Sequence, residues 1–298
     1  MKFEPIADNA ARQSIDAATV FEAYLGARVL VQACAGSMYW RKDGGDEYLV
    51  KAVSGKQQRL GRRSPTTESL LLAFRAKKAA DKQRLSALKE ALEEAQRINK
   101  AVRAGRTPDT VVKILNAVHD AGLANHWVVS GTHTLYAYES AAGVRIVPDT
   151  ADALAVDPFR DAKCRLEVLL DTRLDGDAIL AVLQRADRSF RLSEVVLEGM
   201  AFMNNKGFVF SVWSPTSRPG SVLALPGMAC APRFTQTVIS VTGKMALMQP
   251  LAPHTFIAVQ RWRAAAEGED TDKGRRYALQ ASIVQEMLDA KLLKGVGH

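Results

Sequence analysis

The chain has 298 residues, 47% hydrophobic and 24% charged, with three cysteines and a formal net charge of +8. That length accommodates one large domain or two ordinary ones with substantial cores, and the composition excludes global disorder. No run of about 20 apolar residues occurs, so no membrane span is expected. Cys34, Cys164 and Cys230 are odd in number and too far apart for a zinc site, which fits a reducing, cytoplasmic setting.

The N-terminal segment carries Glu4 and Asp8 and lacks an apolar run, so it does not read as a signal peptide. Residues 14 to 36 read as a helix with an apolar stripe at Ile15, Ala18, Phe21 and Leu25. Two aromatic or β-branched runs on either side of Asp43-Gly44-Gly45 then read as a hairpin. The segment from Gly61 to Glu68 punctuates the chain, with Ser64 or Thr66 as candidate helix cap and Glu68 in the first turn. From about Pro65 to Val102 one stripe collects Leu71, Phe74, Leu85, Leu88, Leu92, Ala95 and Val102. Unbroken, this helix spans about 57 Å; the alternative is a break near Ala79-Ala80. Lys78, Asp81 and Asn99 interrupt the stripe, which leaves room for homodimerisation without making a clean coiled coil.

The positive charge is concentrated here. From Arg62 to Arg106 twelve lysines and arginines stand against five acidic residues, a net of +7. A local excess points to a polyanion-facing surface more directly than a global pI does, although a long exposed helix is more often a solvated face. Arg59, Arg62 and Arg63 are the first candidates for polyanion contacts.

The next region has an α/β texture. Pro108 opens a helix that runs through His119 to Gly122. Trp127 to Gly131 reads as a buried strand entering a glycine turn, Thr134 to Ala142 as a helix and Val144 to Val147 as extended. Pro148 to Asp161 is polar and turn-like. A strand over Cys164 to Leu170, a helix over Asp175 to Ala186 and a central strand over Gly207 to Trp213 follow. Val238 to Val241 and Lys244 to Met248 form a hairpin across Thr242-Gly243, and helices over about 253 to 266 and 274 to 293 complete the chain.

The most informative stretch is Gly131 to Val144, GTHTLYAYESAAGV. A strand that ends in Ser-Gly-Thr and continues as a helix offers backbone N–H groups to an anion; many α/β proteins have such a turn merely packed beneath a sheet. The order of motifs narrows this: LGRRSPTTES, a basic helix ending in RINKAVRAGRTP, an ILNAVHDAGL helix, then VVSGTHTLYAYESAAGV. Together they resemble a family of bacterial proteins with a nucleotidyltransferase fold, over about residues 20 to 290. The resemblance implies an α/β fold of α+β type, with a nucleotidyltransferase-like mixed sheet preceded by an N-terminal lobe carrying the long basic helix. The corresponding segments are 1–107 for that lobe, 108–225 for the core and 226–298 for a C-terminal hairpin and helical region.

In such a family the glycine turn holds nucleotide phosphates. A following strand carries a Thr-x-Asp-x-Asp-like element, and a later strand carries a third acid, as two-metal phosphoryl transfer requires. On that alignment Thr150-Ala151-Asp152-Ala153-Leu154 keeps Asp152 as magnesium ligand but has lost the second acid, and Ser211 stands at the third position. Where relatives carry a lysine and later an arginine-aspartate pair, this chain has Gln260 and Arg276-Tyr277. Asp149, Asp157 and Asp161 lie in the same polar segment, and Asp157 is the candidate to assist Asp152.

Gly131, Thr132, His133 and Lys206 are the candidate nucleotide contacts. His133 reads equally as a residue packed at the helix start, and Lys206 as a solvated turn lysine. Two functions follow. The first is a catalytically degenerate member that binds a nucleotide, a nucleic acid or a protein partner. The alternative is an active magnesium-dependent enzyme that transfers NMP from an NTP to an acceptor, with Asp152 and Asp157 as its catalytic residues.

Overall fold

The structure is a computed structural model describing residues 2–147, 156–170, 175–196, 199–213, 234–268 and 270–293. They form two compact units, one of Met1–Ser14 with Ile98–His298 and the other of Ile15–Arg97.

The Ile15–Arg97 unit holds most of two helices, α1 (Asp8–Ala33) and α2 (Pro65–Ala101), and between them β2 (Ser37–Asp43), β3 (Asp46–Val53) and β4 (Lys56–Arg62). The strands form an antiparallel sheet in the order β2-β3-β4. Asp43 pairs with Asp46, so the expected hairpin closes over the two residues Gly44 and Gly45, at φ 60 and 90. Both positive values are what a type I′ turn needs, and its twist matches that of the strands. A second two-residue turn, Ser54-Gly55, adds β4. Its residues are mostly exposed and carry no apolar alternation, so sequence reading passed over this strand. One face of the sheet buries Met38 and Leu49 against Leu71 of α2, with Trp40, Leu60 and Phe74 around them.

α2 begins where the punctuation places it. Ser64 Oγ accepts from the Thr67 amide at 3.3 Å, Thr67 Oγ1 accepts from the Ser64 amide at 2.9 Å, and Pro65 fills the first helical position. The helix continues through Ala79-Ala80 as one 37-residue element.

The other unit is mixed α/β. Its sheet has five strands in the order β5 (Trp127–Val129), β7 (Arg165–Leu170), β10 (Val209–Trp213), β9 (Gly199–Met203), β8 (Arg191–Val196). β7 and β10 are parallel and the other neighbours antiparallel, so the strand expected to be central, β10, is central. On one face Leu166, Val168, Phe210 and Val212 pack with α3 (Asp109–Asp120) and α5 (Gly176–Ala186). On the other, Leu169 packs with α4 (Thr134–Ala142), α6 (Pro253–Glu267) and α7 (Asp272–Asp289). Period-two alternation sends residues 165, 167 and 169 of β7 to this second side.

In this unit three strands were not anticipated. β1 (Lys2–Pro5) pairs with β6 (Val144–Val147), and β8 and β9 extend the sheet beyond β10. The hairpin β11 (Gln236–Ile239) and β12 (Met245–Met248) is as expected. Beyond it, Val129 bonds on both sides of Pro250, donating to Gln249 O and accepting from Leu251 N. Among the described residues no helix is long and apolar enough to cross a membrane.

Candidate functional site at the Gly131 turn

Ser130 leaves β5 by donating its amide to Glu167 O at 3.1 Å, which ties the turn to β7. The chain then coils through Gly131, Thr132 and His133, whose carbonyls accept from Thr134, Leu135 and Tyr136 at 3.0–3.1 Å. These three-residue closures start α4 tightly and spend the amides from Thr134 onward. Among the described residues no acceptor meets the N–H groups of Gly131, Thr132 or His133. Three consecutive amides therefore precede a helix start. The far side of α4 is fixed by fully buried Glu139, which accepts from Arg106 and from the Ile146 amide and faces Arg145 at 3.6 Å. That anchor joins α4 to β6.

Gly131 sits against β7. A Cβ added there would lie 3.0 Å from Glu167 Cβ and 3.0 Å from its Oε2, so glycine lets the turn and the carboxylate share the space. Glu167 Oε2 accepts from Arg263 Nη1 of α6 at 2.7 Å, with the two side chains only 13% and 11% exposed. Burial pushes the Glu167 carboxyl up. The charge of Arg263 and its hydrogen bond, with Arg165 and His133 behind them, more than reverse this, and the pKa lies below the usual carboxylate value. Burial pulls the Arg263 guanidinium down, and Glu167 more than restores it. In the parallel β7–β10 register Ser211 is the partner of Glu167.

A buried amide chain covers the turn. Gln260 Nε2 donates to Gln280 Oε1 at 3.0 Å, and Gln280 Nε2 donates to Thr132 Oγ1 at 3.0 Å and to Pro158 O at 2.7 Å. Arg276, 4% exposed, reaches Asp161 at 2.7 Å. His133 has no exposed surface, and its Nε2 lies 2.9 Å from Ala162 O. A carbonyl only accepts, so Nε2 carries the proton and Nδ1 is a bare acceptor, which has no partner among the described residues. Burial lowers the His133 pKa to about 4, which makes the ring neutral at physiological pH.

The structure thus brings Gly131, Thr132 and His133 together with Gln260 and Arg276. Asp152 and Leu154 lie outside the described residues. Asp157 is exposed, and its Oδ1 accepts from the Phe159 amide at 2.8 Å. Lys206 is exposed in the β9–β10 turn, its amide donating to Asn204 Oδ1 at 3.0 Å. Arg59, Arg62 and Arg63 belong to the other unit. There they meet Asp43 at 3.5 Å, Asp46 at 3.3 Å, and both Glu47 and Glu68 at 2.6 Å.

Sequence reading missed Glu167 and Arg263. The available signal was one acid inside the apolar run RLEVLL; a strand with helices on both faces does not place a carboxylate there without a partner. Among the described residues no group of three or more histidine, cysteine, aspartate or glutamate side chains is placed to hold a metal ion.

A family model described as Nucleotidyltransferase matches residues 109–221, from α3 through β10 and beyond. A nucleotidyltransferase-fold domain is therefore present, preceded by the lobe that carries the long helix. No curated protein and no solved structure is significantly similar to the chain.

Proposed function

We propose that this is a nucleotidyltransferase-fold protein in which an internal ion pair has taken over the catalytic centre, and that it acts by binding a nucleotide rather than by transferring one. One observation carries this reading: the carboxylate beside Gly131 is already neutralised by Arg263. β7 is the strand hydrogen-bonded to both β5 and β10. Its positions on the Gly131 side are Arg165, Glu167 and Leu169, and across from Glu167 stands Ser211. Two-metal phosphoryl transfer needs paired carboxylates that bridge cations. On this side of β7 the described residues supply one, committed to a guanidinium, with an arginine two residues before it; Asp152 lies outside the described residues.

The binding half of the reading is supported by the three amides before α4 that have no partner among the described residues. Such a helix start suits a phosphate group, through both its N–H donors and the positive end of the helix dipole.

Calorimetric titration of each common NTP, with magnesium and with EDTA, tests the binding, and a pyrophosphate-release assay tests the chemistry. The expected result is triphosphate binding that survives EDTA, with no pyrophosphate released above the protein-free rate. Magnesium-dependent release that disappears in Asp152→Ala would overturn the reading in favour of an active enzyme. Absence of NTP binding under both conditions would remove the nucleotide.

A further inference from the structure

The arginines that the sequence singles out for polyanion contact are matched by carboxylates, and the unmatched charges of the same unit lie on α2. Arg75, Lys82, Arg84 and Lys89 are exposed, and none has an ion-pair partner among the described residues. From Arg75 to Lys89 the helix carries six lysines and arginines against one acid, Asp81. That acid is taken by Lys77 at 3.3 Å and by the Cys34 thiol at 3.4 Å. Lys78 turns its ammonium onto the Gly36 carbonyl. The segment therefore presents a net positive face with its one counter-charge already occupied.

The spacing gives that face a direction. Arg75, Lys82 and Lys89 follow one another at seven residues, or about 10.5 Å per step, and drift by only about 20° around the helix each time. They form a straight row about 21 Å long, beside the exposed small side chains of Ala79 and Ser86. Buried Leu92 and Ala95 lie well round the helix from the row, while Leu71, in line with it, is buried one turn before Arg75.

We propose that this row binds the phosphate backbone of a double-stranded nucleic acid. A rigid line of evenly spaced like charges is complementary to a linear, densely charged polyanion. Each cation is exposed and has no ion-pair partner among the described residues, so binding breaks none of the ion pairs there and gains from counterion release. An acidic peptide offers fewer charges per unit length on a flexible chain. The row belongs to the Ile15–Arg97 unit and the Gly131 turn to the other.

Anisotropy of a short labelled DNA duplex with the full chain, across a sodium chloride series, tests the proposal. Each cation that contacts a phosphate contributes about 0.9 to the log–log salt slope. The slope of R75Q/K82Q/K89Q is then expected to fall by about 3 relative to the unaltered chain, and that of each single substitution by about 1. R59Q/R62Q/R63Q, which alters matched charges, should leave the slope within about 1 of the original. Unchanged melting of the triple variant checks its fold, and the single substitutions give the same readout if it melts early. Three results overturn the proposal: no binding at low salt, a triple variant that binds like the original, or a polyglutamate peptide competing as well as duplex at equal charge. NTP titration reads the Gly131 site independently, so failure here leaves that reading untouched.

Discussion

Replacing Glu167 by glutamine leaves the Arg263 guanidinium nearly buried and without its counter-charge, whereas replacing Arg263 by methionine strands the carboxylate. Breaking such a pair from one side costs about 3 kcal/mol or more, because the remaining charge keeps its desolvation penalty. Replacing both residues by neutral ones of similar size removes the charges together and is expected to recover most of the loss. Urea melts of Glu167→Gln, Arg263→Met and the double variant measure this. A double variant as unstable as the worse single one would show that the pair is not what the site rests on. The same comparison bears on function. If the ion pair stands in for a metal centre, neither single variant gains magnesium-dependent pyrophosphate release.

At the scale of elements, the β5–turn–α4 unit depends on the missing side chain of Gly131. An alanine methyl there comes within 3.0 Å of Glu167, tighter than ordinary van der Waals contact, and Glu167 is held in place by Arg263. Gly131→Ala is expected to cost about 1–3 kcal/mol by overpacking and to release that cost in part when Glu167 is shortened to aspartate. Thermal melts of the two backgrounds decide it; equal losses in both would place the strain elsewhere. The elements legible in the sequence were those whose signal is local. α2 has a cap candidate at Ser64 and one long stripe, the first hairpin has two consecutive glycines, and β5 and α4 flank a glycine turn. β1 and β6 were not paired in advance, because their register joins residues 2–5 to 144–147 and no local pattern encodes that distance. β8 and β9 were missed because their exposed positions, Leu192, Val195 and Met203, do not alternate cleanly and a bulge lies between Leu192 and Glu194. In the site, the turn was legible as a motif and the partner carboxylate was not. Glu167 stands beside the turn because of where β7 packs, whereas the resemblance to a carboxylate-bearing strand falls on residues 150–154.

At the scale of the whole molecule, these two buried groups set the expected response to acid. His133 has an ordinary pKa of 6.5 when solvated and about 4 when folded. Between those values the unfolded chain binds a proton that the folded chain refuses, so stability falls as pH is lowered from 6.5 towards 4 and this contribution is flat below. The span corresponds to about 3 kcal/mol. Glu167 adds to the loss at lower pH. Its folded pKa is depressed, so its stabilising contribution is complete above the unfolded carboxylate pKa and disappears as pH falls through the folded one. The net positive charge, rising further as carboxylates protonate, acts in the same direction. Denaturant midpoints at a series of pH values separate these contributions when compared with His133→Phe, which keeps a buried ring but cannot titrate. The variant should lose the decline between pH 6.5 and 4 while retaining the steeper one below it, and imidazole resonances of the parent protein should show one ring that stays neutral through pH 5. An identical decline in parent and variant would mean that His133 is protonated in the fold, and the neutral, Nε2-protonated ring assigned to the Gly131 turn would have to be abandoned.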